Sequence, residues 1–177
     1  MEKIKPCQST KNFWRFEMIE VKDNFMEKEL FHKVKESIIS SQAMGWFLET
    51  NISGEGEEEN CYFTHLFFSD YSRRSENFSL AVEPLAFLLQ ARSLIRAKAN
   101  LYPRTDKLVH HKDHIDYGFP HKAAVFYLNT NDGYTVIGDR KIESVENRVV
   151  IFDPTVLHHS TNCTDAPFRA NININYF

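Results

Sequence analysis

The sequence predicts a mainly β protein of the α+β class, a sandwich or barrel of strands accompanied by helices in its N-terminal half. Three observations lead there. Aromatic residues make up 14% of the 177 residues, fifteen of them Phe, and large rings suit the space between two packed sheets. Two long segments alternate with a period of two. In Ser93–Tyr102, Ile95, Ala97, Ala99 and Leu101 oppose Arg96, Lys98, Asn100 and Tyr102; in Phe168–Phe177, Ala170, Ile172, Ile174 and Tyr176 oppose Arg169, Asn171, Asn173 and Asn175. Such alternation marks strands with one apolar and one polar face. Leu30, Phe31, Val34 and Ile38 instead recur at helical spacing and predict a helix packed along one stripe.

The elements follow in order. Residues 1–12 are polar, carry Pro6 and read as an irregular leader. Phe13–Val21 is a strand. Asn24, with Glu27 three residues on, has the form of a capping box and opens the helix that carries the apolar stripe. Trp46–Leu48 and Tyr62–Phe68 are strands on either side of the acidic, Gly-containing Ser53–Glu59. That segment is a solvated loop, or, on a functional reading of residues 51–60, a flap over a site. Pro84 suits a first helical turn, and Leu85, Leu88 and Leu89 continue it as a short helix near 83–91. The polar face of Ser93–Tyr102 is free to line a pocket. Asn131-Asp132-Gly133 is a turn between strands, and Asn147-Arg148 makes a corner before Val149–Phe152.

An apolar fraction of 42% and a charged fraction of 25% are those of an ordinary soluble globular protein. The length fits one domain over 1–177, with strands and supporting helices in 1–91 and the chemistry-bearing core in 92–177. A net charge of −3 offers phosphate backbones no broad attraction and disfavours nucleic acid. Cys7, Cys61 and Cys163 form no disulfide framework. With no apolar leader and no long apolar run, neither secretion nor a membrane span is expected, which leaves a reducing, cytoplasmic setting.

The chemistry is concentrated between His114 and Arg169. If His114 and Asp116 lie on a strand, residues two apart share a face, and an imidazole and a carboxylate point the same way. A further imidazole from His158 completes a set of two His and one carboxylate, the facial triad associated with non-haem Fe(II), which leaves the opposite coordination positions open. A structural zinc site would be closed by four ligands, commonly Cys, and no Cys pair has that spacing. Two ambiguities accompany the set. His111-Lys112-Asp113 is a second His-x-Asp, and His159 stands beside His158. Lys112 and its polar neighbours read better as an approach loop, which favours the later pair. Arg169, eleven residues after His158 on the polar face of the last strand, could clamp a carboxylate. His65 and His32 read as packing or surface residues.

The order His-x-Asp, distal His, then a basic residue about one strand later resembles the 2-oxoglutarate/Fe(II)-dependent oxygenases, specifically their prolyl-4-hydroxylase-like branch. Phe126-Tyr127-Leu128-Asn129 and Leu101-Tyr102-Pro103 are similar to segments of that family, and the likeness covers mainly residues 92–177. It implies a double-stranded β-helix, the jelly roll of cupin-like proteins, with N-terminal helices on the outer face of the larger sheet. It implies Fe(II) on His114, Asp116 and His158, the distal carboxylate of 2-oxoglutarate on Arg169, and hydrogen bonds to that co-substrate from Tyr127 and Tyr102. In the family the distal His falls six residues after the Phe that ends the preceding strand and often has a small residue two positions later; Phe152, His158 and Ser160 fit, with His159 the rival. The implied reaction consumes O2 and 2-oxoglutarate, hydroxylates a C–H bond and releases succinate and CO2. The implied substrate is a peptide or protein, a prolyl residue among the possibilities, or a small molecule. A related nucleic-acid demethylase would carry a second Arg six residues after the first, where this chain has Asn175. A jelly-roll binding protein would hold metal without consuming 2-oxoglutarate.

Overall fold

The computed structural model describes residues 19–42, 44–50 and 61–177. In chain order its elements are β1 (Glu20–Lys22), α1 (Lys28–Ile39), β2 (Phe47–Glu49), β3 (Tyr62–Ser69), β4 (Ser72–Arg73), α2 (Phe78–Ala81), α3 (Glu83–Leu88), β5 (Leu94–Pro103), β6 (Lys122–Tyr127), β7 (Tyr134–Ile137), β8 (Arg140–Glu143), β9 (Val149–Phe152), β10 (His158–Ser160) and β11 (Phe168–Tyr176). The large sheet runs β1-β9-β6-β11-β5-β3-β2 with β4 beside β3, and a small sheet runs β10-β7-β8. Two antiparallel sheets joined by connections that pass between them make the jelly roll that the family resemblance implies.

Alternation along each strand sorts its residues between two cores. Ala97, Ala99, Ala124, Phe126, Ala170, Ile172 and Ile174 point outward from the large sheet and bury against Phe31, Val34 and Ile38 of α1 and Leu85 of α3. The helices therefore cover the outer face of the larger sheet, and the apolar stripe of α1 is what docks them. Ala123, Val125, Tyr127, Val150 and Phe152 point the other way and meet Ile137 and Ile142 of the small sheet. Trading a buried Ile or Phe here for Ala would cost about 2–5 kcal/mol.

Register then aligns the polar residues. Across β5 and β11, Tyr102 faces Arg169, Asn100 faces Asn171, Lys98 faces Asn173 and Arg96 faces Asn175. Directly opposed residues share a face, so one continuous polar groove runs along the inner side of the sheet. The strand at Ser93–Tyr102 meets its expectation, apolar side to the helices and polar side to a pocket.

Several local expectations shift. The first helix is capped by Glu27, whose carboxylate accepts from Glu29 N (2.9 Å) and Leu30 N (3.1 Å). Asn24 is not the cap: it sits at φ 49°, and the next two residues are pinned across the molecule. Phe25 N donates to Asn147 O, Met26 N to Asn147 Oδ1, and Asn147 Nδ2 to Met26 O, so the helix starts beyond them. Asn147 is itself the expected corner, at φ 58°. Asn131–Gly133 turns the chain from the large sheet into the small one. Helix α2 has no forerunner in the sequence reading. The leader, the first part of the Phe13–Val21 strand and the 51–60 flap lie outside the described residues. Among the described residues no helix is long and apolar enough to cross a membrane.

Candidate metal and co-substrate site

His114 and Asp116 do not lie on a strand. They occupy an irregular segment between β5 and β6, tied at three points. His114 N donates to His158 O and His158 N to His114 O, both at 3.0 Å, and Asp116 N donates to Pro154 O at 3.2 Å. The ladder stops there because its partner turns: Val156 N bonds Asp153 O, and Asp153 Oδ1 accepts from Thr155 N. Those ties still bring the predicted side chains together. Ligand atoms of His114, Asp116 and His158 all lie within 4.8 Å of one another.

The atoms in this cluster are oriented from behind. Nδ1 of His158 donates to Val156 O (2.8 Å) and Nδ1 of His114 to Lys112 O (3.2 Å), which leaves each Nε2 with its lone pair, the usual arrangement around metal-bound histidine. Arg96 Nη2 donates to Asp116 Oδ1 at 3.0 Å, leaving Oδ2, which is 4.0 Å from His158 Nε2. Both Oδ2 and Nε2 are buried without a hydrogen-bond partner. Each such orphan costs about 1–3 kcal/mol, a cost that a cation bound between them would offset. Burial, the largest cause, lowers the His158 pKa and keeps the imidazole in the neutral form a metal needs. The donor set and its two orphaned atoms fit a divalent metal, and two imidazoles with one carboxylate suit Fe(II).

The rival residues are engaged elsewhere. His159 Nδ1 meets Asp113 Oδ1 at 2.6 Å, its Nε2 meets His110 Nδ1 at 3.1 Å, and His110 Nε2 meets Tyr134 OH at 3.0 Å. His111 stacks on Tyr102 at 5.1 Å and bonds Ser160 Oγ. Burial, with the Arg169 charge second, pushes its pKa down to about 3. Neither His111-x-Asp113 nor His159 belongs to the convergent cluster. His65 is structural, bonded to Gly45 O and Ser75 Oγ, and His32 is exposed.

Arg169 is fully buried. Its Nε donates to Ser144 Oγ (2.7 Å), Nη1 to Thr161 O (3.0 Å) and Nη2 to Thr135 Oγ1 (2.9 Å). A guanidinium has five N–H groups, so one on each terminal nitrogen is left. Tyr102 and Tyr127 flank the cation, 5.4 and 5.6 Å from ring centroid to Cζ. Burial raises both phenol pKa values, with Arg169 pulling against it. Gly133 makes room for this packing: a Cβ there would sit 2.7 Å from Arg169 Cδ and 2.3 Å from Asn162 O.

Arg169 and Tyr127 stand behind the wall of the cleft, and the residue in front of them is Thr135. Its Oγ1 accepts from Tyr127 OH (2.8 Å) and from Arg169. With both lone pairs engaged, its own proton is free to donate into the cleft. Sequence reasoning passed over Thr135, since a Thr at the start of a short strand carries no signal of its own. It also read Arg96 and Lys98 only as a polar face. Tyr102, by contrast, lines the cleft directly.

No protein-family model matches the sequence, and no curated protein matches it. Solved structures do. A prolyl hydroxylase from Trichoplax adhaerens, in complex with a hypoxia inducible factor oxygen degradation domain peptide fragment, superposes with a TM-score of 0.61 at 14% identity, covering 90% of this chain and 83% of that one. A Pseudomonas putida prolyl-4-hydroxylase gives 0.60 at 13% identity, covering 89% and 91%. This chain has the prolyl-hydroxylase fold. A 2OG-Fe(II) oxygenase family protein from Burkholderia pseudomallei shares it more loosely, with a TM-score of 0.52 at 11% identity over 73% and 72%. Within the prolyl-hydroxylase fold of this chain, the His114, Asp116 and His158 cluster lies in the cleft between the two sheets, with the Arg169 pair partner Tyr102 further along the same groove.

Proposed function

We propose that the protein is a 2-oxoglutarate- and Fe(II)-dependent dioxygenase that hydroxylates a C–H bond. The observation that carries this is the convergent trio of His114, Asp116 and His158, two of whose facing atoms are buried and unpartnered, in a chain with the prolyl-hydroxylase fold. His114, Asp116 and His158 would hold the iron. The Thr135 hydroxyl would bind the distal carboxylate of 2-oxoglutarate, with Tyr102 beside it and the Arg169 charge directly behind Thr135 to pair with it. Tyr127 acts one step back, fixing the Thr135 proton. When bound, the iron and 2-oxoglutarate supply the oxidising chemistry, with O2 consumed and succinate and CO2 released.

What the chain itself contributes is placement. Backbone carbonyls of Val156 and Lys112 fix the two imidazoles, Arg96 fixes the carboxylate, and the aromatic walls of Tyr62, Tyr102 and His111, stacked in series, exclude water from the co-substrate end. A peptidyl substrate, a prolyl residue included, is supported by the peptide bound to the Trichoplax enzyme; a small molecule is the second reading. Nucleic-acid demethylation finds less support, since Asn175 replaces the second Arg and is itself buried against His121 Nε2. The test is succinate formation from 2-oxoglutarate with Fe(II) in air, in wild type and His114→Ala. Turnover that disappears in the variant is expected. Turnover that persists removes the assignment, and metal binding without any turnover returns the chain to the binding jelly rolls.

A further inference from the structure

Two cations stand further along the groove, beside the metal cluster. Lys98 and Arg96 follow Tyr102 down the polar face of β5, and their partners on β11 are the neutral Asn173 and Asn175. At about 3.3 Å per residue, Lys98 lies roughly 13 Å along the strand from Tyr102 and the Arg169 pair. That is the backbone distance; the Lys98 ammonium reaches back to Tyr62, whose ring stacks on Tyr102 at 5.3 Å. A co-substrate whose distal carboxylate pairs with Arg169 still leaves Lys98 without a counter-ion of its own.

Arg96 pairs with Asp116, but among the described residues Lys98 has no carboxylate partner. The Lys98 ammonium donates only to Tyr62 OH, at 3.3 Å, with the Tyr62 ring 5.4 Å from Nζ. Among the described residues no carboxylate comes within ion-pair distance of it. Asp116, which acts on it through space, is already bonded to Arg96, and the other carboxylate felt there, Glu49, lies on the exposed edge strand β2. Arg96 uses one terminal nitrogen on Asp116, while its Nε is buried without a partner. Burial and the neighbouring Arg96 charge both oppose charging of Lys98 and bring its pKa down to about 8. A half-buried lysine beside an arginine costs stability unless something anionic joins it. Both side chains line the cleft, and Lys98 Nζ, with three donors and one neutral partner, has N–H groups left for a carboxylate there.

Resting on the co-substrate reading above, we propose that the substrate carries a carboxylate, bound by Lys98 and Arg96 beside the metal cluster, so that an acidic side chain or a free small acid is oxidised in preference to its neutral counterpart. Arg96 would then hold Asp116 with one nitrogen and the substrate with another, placing the substrate next to the metal.

The experiment uses two pairs of probes: capped Gly-Asp-Gly against capped Gly-Asn-Gly, and free propionate against propionamide. Binding is read by chemical-shift titration of the metal-free protein, and again with Fe(II) and 2-oxoglutarate under argon, where the co-substrate's visible charge-transfer band reports its own affinity. The acid of a pair should bind at least tenfold more tightly than the amide, and whichever pair shows it tells peptide from free acid. Lys98→Met should erase that preference and Lys98→Arg should keep most of it, with 2-oxoglutarate affinity within about twofold of wild type in both. Equal binding of acid and amide in both pairs overturns the proposal. So does a tenfold loss of 2-oxoglutarate affinity in Lys98→Met, which would make Lys98 the co-substrate's own anchor. If no band forms in wild type, the oxygenase reading fails on its own, while the titration of metal-free protein still decides whether Lys98 selects a carboxylate.

Discussion

Arg96 and Asp116 share one hydrogen bond of 3.0 Å, which fixes the carboxylate through Oδ1 and leaves Oδ2 free to face His158 Nε2. Residues from β5 and from an irregular loop thus set the orientation of one ligand atom. Removing such an outer partner costs about 10–100-fold in metal affinity. Arg96→Met should weaken Fe(II) binding about tenfold in anaerobic titration, and unchanged affinity would show that the loop alone positions Asp116.

His158 and His159 should separate cleanly. His158→Ala removes a buried Nε2 of the cluster, whereas His159→Ala only breaks the chain to Asp113 and His110. Stoichiometric metal binding should be lost in the first and kept in the second, as read by equilibrium dialysis. The reverse would exchange their roles.

Arg169 should report on stability as well as on the co-substrate. Arg169→Met strips partners from Ser144 Oγ, Thr161 O and Thr135 Oγ1 and should cost roughly 3 kcal/mol in urea unfolding. Gly133→Ala should cost about 1–3 kcal/mol, because its Cβ would meet the backbone oxygen of Asn162 at 2.3 Å. If either is neutral, the packing around the guanidinium is not as described.

Acid should destabilise the metal-free protein from near neutrality downward. In the unfolded chain the His111 imidazole takes a proton as pH falls through its ordinary 6.5, but in the fold burial holds its pKa at about 3. Below 6.5 the unfolded state therefore binds more protons, and stability falls as pH falls from 6.5 toward 3. His158 is lowered for the same first reason, burial, and adds in the same direction. Unfolding midpoints at pH 7 and 4.5 check this, and the drop should be smaller in His111→Gln. A midpoint that does not move would contradict a buried neutral His111.

Lys98 has the complementary behaviour. Its pKa in the fold is about 8 against 10.5, so between those values the unfolded state binds more protons and stability rises with pH; the penalty for the charged ammonium is fully present below pH 8. Lys98→Met should then raise the melting temperature at pH 7, measured by calorimetry. A loss of stability would mean that the ammonium is a structural group.

Much of this was legible because a strand's period of two is strict. Tyr102, Lys98 and Arg96 lie on the polar side of β5, Arg169 and the asparagines on that of β11, and register makes those sides one groove. His114, Asp116 and His158 were legible from type and order, although not for the local reason given: they meet through cross-bonds of an irregular loop, which no periodicity encodes. Asn24 failed as a cap because a distant residue, Asn147, fixes the two residues after it. Thr135 was invisible for a similar reason, since its role comes from Tyr127 and Arg169, eight and thirty-four residues away.

The most direct measurement is anaerobic titration of the protein with Fe(II) and 2-oxoglutarate, watching for the weak visible charge-transfer band of their chelate, in wild type, Asp116→Ala and Arg169→Ala. The account predicts a band that requires both components, is lost with Asp116→Ala and needs far more co-substrate in Arg169→Ala. Metal-loaded wild type that shows no band, or a band indifferent to Asp116, would contradict it.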